Sequence, residues 1–321
     1  MVNKKVFITG ITGFVGSHLS DLCIENNLEV TGNYLFEDEL NNIQHLKDKV
    51  ELLKCNITDE SYLHKFLKTK KPDFIFHLAA KSHVGFSWKD RKETLSVNFM
   101  GTANLLEIIR NLDYETRILL VGSAEEYGKV NTSERIKEDF PLKPTSPYAV
   151  SKVASEMLGY QYCISDDMKI IMVRAFNHTG PRQHPSFVCS DFARQISKIE
   201  TGQEPPVINV GNLDIYRDFS DVRDVARAYL SLLEKGASGE VYNVCSGKAV
   251  SIKSMLDQLL KLSTVKIDIK VSKDRYRNVD LPVLSGNNEK IKKAVGWEPG
   301  IPLIKTLEDL LNDWRDKISR V

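Results

Sequence analysis

Lys4-Lys5-Val6-Phe7-Ile8-Thr9-Gly10-Ile11-Thr12-Gly13-Phe14-Val15-Gly16, followed by Leu19, Leu22, Cys23 and Ile24 at helical spacing, is the stretch that decides the fold. A short β-branched run, a glycine turn and an apolar-striped helix, in that order, open a dinucleotide-binding unit. The spacing is G-x-x-G-x-x-G rather than G-x-G-x-x-G. Gly10 would permit the tight turn, Gly13 the close approach of backbone to a pyrophosphate, and Gly16 the packing of helix on strand. The helix N-terminus would then face the phosphates, with Thr12, Phe14 and Val15 completing the loop. Glycines in a turn also serve geometry alone; the strand and helix on either side favour the binding reading.

Outward from this unit the chain alternates. A second strand, Glu29 to Tyr34, ends in Gly32-Asn33-Tyr34-Leu35. An acid there would bind the adenosine ribose, and an arginine the extra phosphate of NADP. Asn33 is neither, and Glu37 and Asp38 come several residues later, so NAD and NADP both remain open. The third strand, Val50 to Lys54, leads into Cys55-Asn56-Ile57-Thr58-Asp59. Asn56 and Ile57 are placed there for the adenine, though Asn56 serves equally as a plain turn residue. The fourth, Phe74 to Leu78, runs into Ala79 and Ala80, whose small side chains let a cofactor lie against the backbone. A helix from Asn98 to Arg110 delivers the chain to a fifth strand, Arg117 to Val121, which ends at Gly122-Ser123. A sixth strand spans Lys169 to Arg174.

Such alternation predicts an α/β fold with a doubly wound parallel Rossmann sheet over residues 1–175 and ligands at the strands' carboxyl ends. From Phe176 the rhythm loosens. Residues 176–321 are expected to form a smaller C-terminal α/β substrate lobe, with about 219–247 returning to the large sheet. The strand Glu240 to Val244 lies in that return, and a final helix runs from about Leu303 to Trp314.

Composition narrows the function. A net charge of +1 over 321 residues gives no general attraction to nucleic acid or anionic lipid. No apolar run approaches the roughly 20 residues of a spanning helix, and Met1-Val2-Asn3-Lys4-Lys5 enters a strand directly, so a cytoplasmic enzyme without membrane attachment is expected. The five cysteines have no C-x-x-C spacing, which fits reduced thiols. The seven histidines never pair at ligand spacing, and no metal is expected.

The chemistry is read from Ser146-Pro147-Tyr148-Ala149-Val150-Ser151-Lys152. Tyr148 and Lys152, four apart, share one helix face. Alone, Tyr-x-x-x-Lys is common on solvated helices; beside Ser123 and the glycine turn it becomes a constellation. A tyrosine hydroxyl, with an ordinary pKa of about 10, is a poor acid or base until a neighbouring ammonium lowers it. Lys152 would supply that charge, Tyr148 the proton, and Ser123 a hydrogen bond to a substrate carbonyl. The implied reaction is carbonyl reduction or its reverse.

The set TGITGFVG, VGS and YAVSK resembles the short-chain dehydrogenase/reductase family and its extended, nucleotide-sugar-modifying branch, in which Ser, Tyr and Lys form the catalytic triad. HLAAKSHVGFSW, RAFNHTGPRQ, GNLDIYRDFSDVRDVARAY, EVYNVCSGKAVSIKSML and RNVDLPVLSGNNEKIKKAVGWEP resemble the GDP-mannose 4,6-dehydratases and the related GDP-4-keto-6-deoxy-D-mannose reductases. NHTGPRQ, RDFSDVRDV and VYNVCSG are nearer the reductases. The resemblance implies reduction of a GDP-linked 4-keto sugar to GDP-D-rhamnose by NADH or NADPH, in a homodimer. It also implies substrate contacts from Ser123, Ala124 and Glu125 and sugar or phosphate contacts from Asn177 and Arg182. Arg217 and Arg277 would hold the diphosphate, for which guanidinium is suited, and Asp280 the nucleotide ribose. Asn278 departs from the proline usual in that loop, and Arg275 is equally a surface ion-pair partner.

The related dehydratases carry Thr-Ser-Glu or Thr-Asp-Glu where this chain has Ser123-Ala124-Glu125. Ala124 cannot donate a proton, which favours reduction. Rival readings are a GDP-mannose 4,6-dehydratase, another nucleotide-sugar epimerase, and a non-catalytic cofactor sensor.

Overall fold

The computed structural model describes residues 3–112, 114–130, 134–275 and 283–319. Its strands, in chain order, are β1 (Lys5–Thr9), β2 (Glu29–Tyr34), β3 (Val50–Lys54), β4 (Phe74–His77), β5 (Arg117–Ser123), β6 (Lys169–Ala175), β7 (Asn177–Thr179), β8 (Val207–Val210), β9 (Tyr216–Asp221), β10 (Val241–Val244), β11 (Ala249–Ser251), β12 (Asp268–Val271) and β13 (Val283–Leu284). Seven of them form one parallel sheet in the order β10-β6-β5-β4-β1-β2-β3. From β1 the chain winds outward to β2 and β3, then returns and winds the other way through β4, β5, β6 and β10. The reversal between β1 and β4 is the crevice where such sheets bind ligands.

Strand alternation sorts side chains into two layers. Val6, Ile8, Phe76, Leu119 and Val173 pack on one face against the helices Phe14–Glu25 and Val222–Lys235. Phe7, Ile75, Ile118, Leu120 and Met172 pack on the other, against Glu60–Lys70, Gly101–Leu112 and Pro147–Ser165. These strands are apolar on both faces because both are covered.

The C-terminal lobe has its own core, in which Phe192, Ile196, Leu256, Leu259, Leu307 and Leu310 join the helices Val188–Glu200, Ile252–Leu262 and Leu303–Ser319. Its strands run β11-β9-β13 with β7 on β9, and β8 pairs with β12. The chain passes back into the large sheet through the helix Val222–Lys235 and β10. A smaller cluster of Ala124, Tyr127, Ile136, Phe176, Cys245 and Leu284 ties the lobe to the carboxyl end of β5.

Several strand ends shift by one or two residues, and two helix boundaries differ from expectation. The helix placed at Asn98–Arg110 begins in a π-turn, Ser96–Met100, before its regular part, Gly101–Leu112. The last helix runs to Ser319.

Candidate active site

The end of β5 is shaped by a carboxyl group behind it. A Cβ on Gly122 would sit 2.3 Å from Glu126 Oε1, so only glycine fits. That oxygen accepts the Ser123 N–H at 2.6 Å, and Ser123 Oγ accepts the Glu125 N–H at 3.2 Å. This reciprocal cap closes the short turn Ala124–Tyr127 and fixes Ser123. Facing it, the helix Pro147–Ser165 starts cleanly: Ser146 Oγ accepts the Ala149 N–H at 3.1 Å and Pro147 occupies the first turn. Tyr148 therefore leaves that turn with its ring buried and its hydroxyl beside that of Ser123. Lys152, one turn on and also buried, donates to the Val121 carbonyl at 2.7 Å, its Nζ 5.9 Å from the Tyr148 ring centroid.

The expected electrostatics need correcting. Burial pushes the Tyr148 phenol above its ordinary value; the Ser123 side chain opposes this, and Glu126 and Glu125 add to it. Burial also pushes the Lys152 ammonium down to about 8, against the pull of Glu126. Lys152 thus does not make Tyr148 more acidic in this structure, because desolvation of the phenol dominates and the amine is turned to a backbone carbonyl. A phenol held this way keeps its proton at neutral pH, which suits a donor.

The crevice between β1 and β4 fits a dinucleotide pyrophosphate. Gly10 has φ +67°, a conformation other residues rarely adopt, and a Cβ there would lie 3.1 Å from the Ala79 Cα. A Cβ on Gly16 would lie 2.4 Å from the Gly10 carbonyl, so the helix sits directly on the turn. That helix begins at Phe14 after Gly13, with no side-chain cap and no acid in its first turn, and so leaves its positive end for an anion. Thr9 Oγ1 accepts the N–H groups of Leu78 and Ala79, both at 3.0 Å, holding the β4 exit against β1, with Ala80 next in line.

Other expected contacts fall differently. Thr12 has a fully buried side chain, and its carbonyl accepts from Asn42. Val15 packs on the core, and Phe14 stacks on His178 at 5.8 Å. Asn33 is buried, its amide engaged with Gly10 N–H and the Cys55 carbonyl. Asn56 uses its side-chain oxygen for the Thr58 N–H, the plain turn role, and Ile57 points into the core.

Ala124 is buried and Glu125 half-buried beside Tyr148, while Asn177 is exposed at the start of β7. Arg217 is buried on β9 and donates to the Tyr216 carbonyl. Arg182, expected at the sugar or phosphates, is instead bound to the first helix: φ +70° turns it so that Nη1 meets Asp21 Oδ2 at 2.7 Å. Arg275 pairs with Asp191 at 2.7 Å. Arg277 and Asp280 lie outside the described residues.

Three further residues stand around the site: Glu126 and Asn98, which sequence reasoning passed over, and His77, which reads from sequence as a satisfied core residue and is one. Glu126 is fully buried; its Ser-x-x-Glu spacing from Ser123 is a capping signature that could have flagged it. Asn98, inside the π-turn, donates to Ser151 Oγ at 2.9 Å and accepts the Lys81 N–H at 2.8 Å. His77 bridges Thr9 and Thr102, both at 2.9 Å. Thr102 gives its own proton to the Asn98 carbonyl, so His77 Nε2 is the donor and Nδ1 the acceptor of a neutral ring. No cluster of metal-ligating side chains occurs among the described residues, and no helix there is long and apolar enough to cross a membrane.

A doubly wound sheet that delivers serine, tyrosine and lysine beside a glycine-turn crevice is the layout of the extended short-chain dehydrogenase/reductases. Within that class the chain belongs to the GDP-mannose 4,6 dehydratase family, whose sequence model matches residues 7–310. It is 32% identical to the GDP-6-deoxy-D-mannose reductase of Pseudomonas aeruginosa over 99% of each chain. It is 31% identical to a GDP-mannose 4,6-dehydratase of Vibrio cholerae serotype O1, over 97% of this chain and 93% of that one. Among solved structures it resembles RMD from Pseudomonas aeruginosa complexed with NADPH, with TM-score 0.86 and 32% identity, over 99% of this chain and 100% of that one.

Proposed function

We propose that the protein is an oxidoreductase that reduces the C4 ketone of GDP-4-keto-6-deoxy-D-mannose to GDP-D-rhamnose. The reading rests on the Ser123–Tyr148 hydroxyl pair at the end of β5, with Ala124 where a dehydratase would need an acid. Gly10–Gly16, Leu78 and Ala79 would hold a dinucleotide, whose reduced nicotinamide would supply the hydride. Tyr148 gives its proton to the ketone oxygen, and Ser123 holds that oxygen by a second hydrogen bond. Lys152 then stands one helical turn away to stabilise the tyrosinate left behind. Arg217 is assigned to the GDP moiety, and by resemblance so are Arg277 and Asp280.

The test is to supply the GDP-linked 4-keto sugar with NADH or NADPH and identify the product by NMR. GDP-D-rhamnose is expected. Conversion of GDP-mannose to a 4-keto sugar without added reductant would establish the dehydratase instead.

We also read the protein as a homodimer. Val150, Met157 and Ile164, seven apart on the helix Pro147–Ser165, expose an apolar stripe with Tyr160 beside it. Analytical ultracentrifugation should give a dimer that Met157→Asp dissociates. The free thiols Cys23, Cys55, Cys163, Cys189 and Cys245 suit a reducing compartment such as the cytoplasm.

A further inference from the structure

The strand end that receives the adenosine ribose in such folds is β2, and its surroundings are unusually poor in free positive charge. The first arginine of the chain is Arg91, so the whole adenosine half of the sheet is built without a guanidinium. Asn33, at the tip of β2, is spent on structure, its amide bridging Gly10 and Cys55. The next two residues, Leu35 and Phe36, are 40% and 58% exposed and carry no charge. Then comes Glu37, whose carboxylate meets Lys54 at 2.7 Å. Lys54 closes β3 beside β2, in register with Tyr34. Lys47 and Lys49 precede β3 and stand at the opposite edge of the parallel sheet. Among the described residues, the one ammonium at the carboxyl ends of β2 and β3 is therefore already engaged by an acid.

NADH and NADPH differ there by one phosphate. A 2′-phosphate brings close to two negative charges at neutral pH and asks for guanidinium or free ammonium groups. A ribose 2′-hydroxyl instead donates to a carboxylate. We propose that this strand end makes the protein selective for NADH, with Glu37 the specificity-determining residue that accepts the ribose and repels the 2′-phosphate. The inference rests on the cofactor crevice assigned above. It runs against what the NADPH-bound Pseudomonas structure alone would suggest.

Binding tests it without turnover. Titrating the sugar-free protein with NADH and with NADPH, followed by nicotinamide fluorescence, should give a dissociation constant about fivefold weaker for NADPH, the scale of a solvent-exposed charge contact. Glu37→Gln should narrow that gap severalfold, and Leu35→Arg should tighten NADPH by about tenfold while leaving NADH within about twofold. NADPH binding as tight as NADH, or a gap unmoved by Glu37→Gln, overturns the proposal. Failure of both nucleotides to bind overturns the reading of the crevice itself, a result distinguishable from loss of selectivity.

Discussion

Two buried pairs stand back to back at the end of β5, and burial acts on them differently. In front, Tyr148 and Lys152 have no countercharge in contact, and both are pushed towards their neutral forms. Behind, Glu126 and Glu156 share one guanidinium unequally. Arg174 binds Glu156 bidentately at 2.8 and 2.6 Å, whereas it stands 3.7 Å from Glu126. Glu156 is thus the ion, while burial and the Glu156 charge hold the Glu126 carboxyl well above the usual carboxylate range. Burial sets the cost of charge, and the geometry of the partner decides which group bears it. The front pair is left free to move a proton; the rear pair fixes one in place.

The largest effect should come from the front. Tyr148→Phe removes the proton donor and leaves the ring, so turnover should fall by roughly 10³-fold while nicotinamide binding is retained. Stopped-flow hydride transfer with parallel fluorescence titration separates the two. Turnover within tenfold of wild type would erase the distinction between the pairs.

Next comes the ion of the rear pair. Glu156→Gln strands Arg174 in the core, and losing one partner of a buried pair costs about 3 kcal/mol or more. The Arg174 guanidinium also donates to Tyr127 Oη at 3.0 Å and to the Glu138 carbonyl at 2.9 Å, so its displacement would loosen the turn that carries Ser123. Urea unfolding should show the loss, and an unchanged midpoint would mean that Glu156 is not the charged member.

The front pair was legible in the sequence and the rear pair was not, for a physical reason. Tyr148 and Lys152 are related by one helical turn, and Ser123 ends an apolar run, so both signals are local. The Glu126 cap on Ser123 is a local signal, but its charge state is set by Arg174 and Glu156, which only the folded sheet brings to it. Arg182 was misread for the same reason in reverse. Its motif suggested a ligand contact, but the left-handed turn at Arg182 commits it to Asp21 on the first helix. The large sheet was readable because its strands alternate with helices at short intervals. The lobe's strands β7, β11 and β13, of two or three residues, carry too little pattern to announce themselves.

Histidines extend the comparison to acid. His18, bound to the Pro181 carbonyl at 2.9 Å, is held near 4 by burial and then by Arg182, and His77 near 3 by burial and then by Lys152. Both folded values lie below the unfolded one of about 6.5. Below that pH the unfolded chain takes up protons that the native one refuses, so stability falls as pH drops from 6.5 towards 4 and is fully present above 6.5. His18→Gln, which keeps a donor for Pro181, should flatten the midpoint-against-pH curve by on the order of 1–2 kcal/mol. A curve of unchanged slope would mean that His18 is not buried neutral.

The smallest effect is the most discriminating. If Glu126 carries its proton at neutral pH, glutamine reproduces it: Oε1 can still accept the Ser123 N–H, and the amide is as uncharged beside Glu156 as the protonated acid. Glu126→Gln should therefore stay within about 1 kcal/mol of wild type and within about threefold in turnover. Glu126→Ala leaves the same N–H buried without an acceptor and should cost about 1–3 kcal/mol, with a lower kcat as Ser123 loses its fix. The two variants remove the same carboxyl, so a purely electrostatic role, in which an ionised Glu126 serves Arg174, would make them alike. Only a neutral acid used as a hydrogen-bonding strut predicts that glutamine is tolerated and alanine is not.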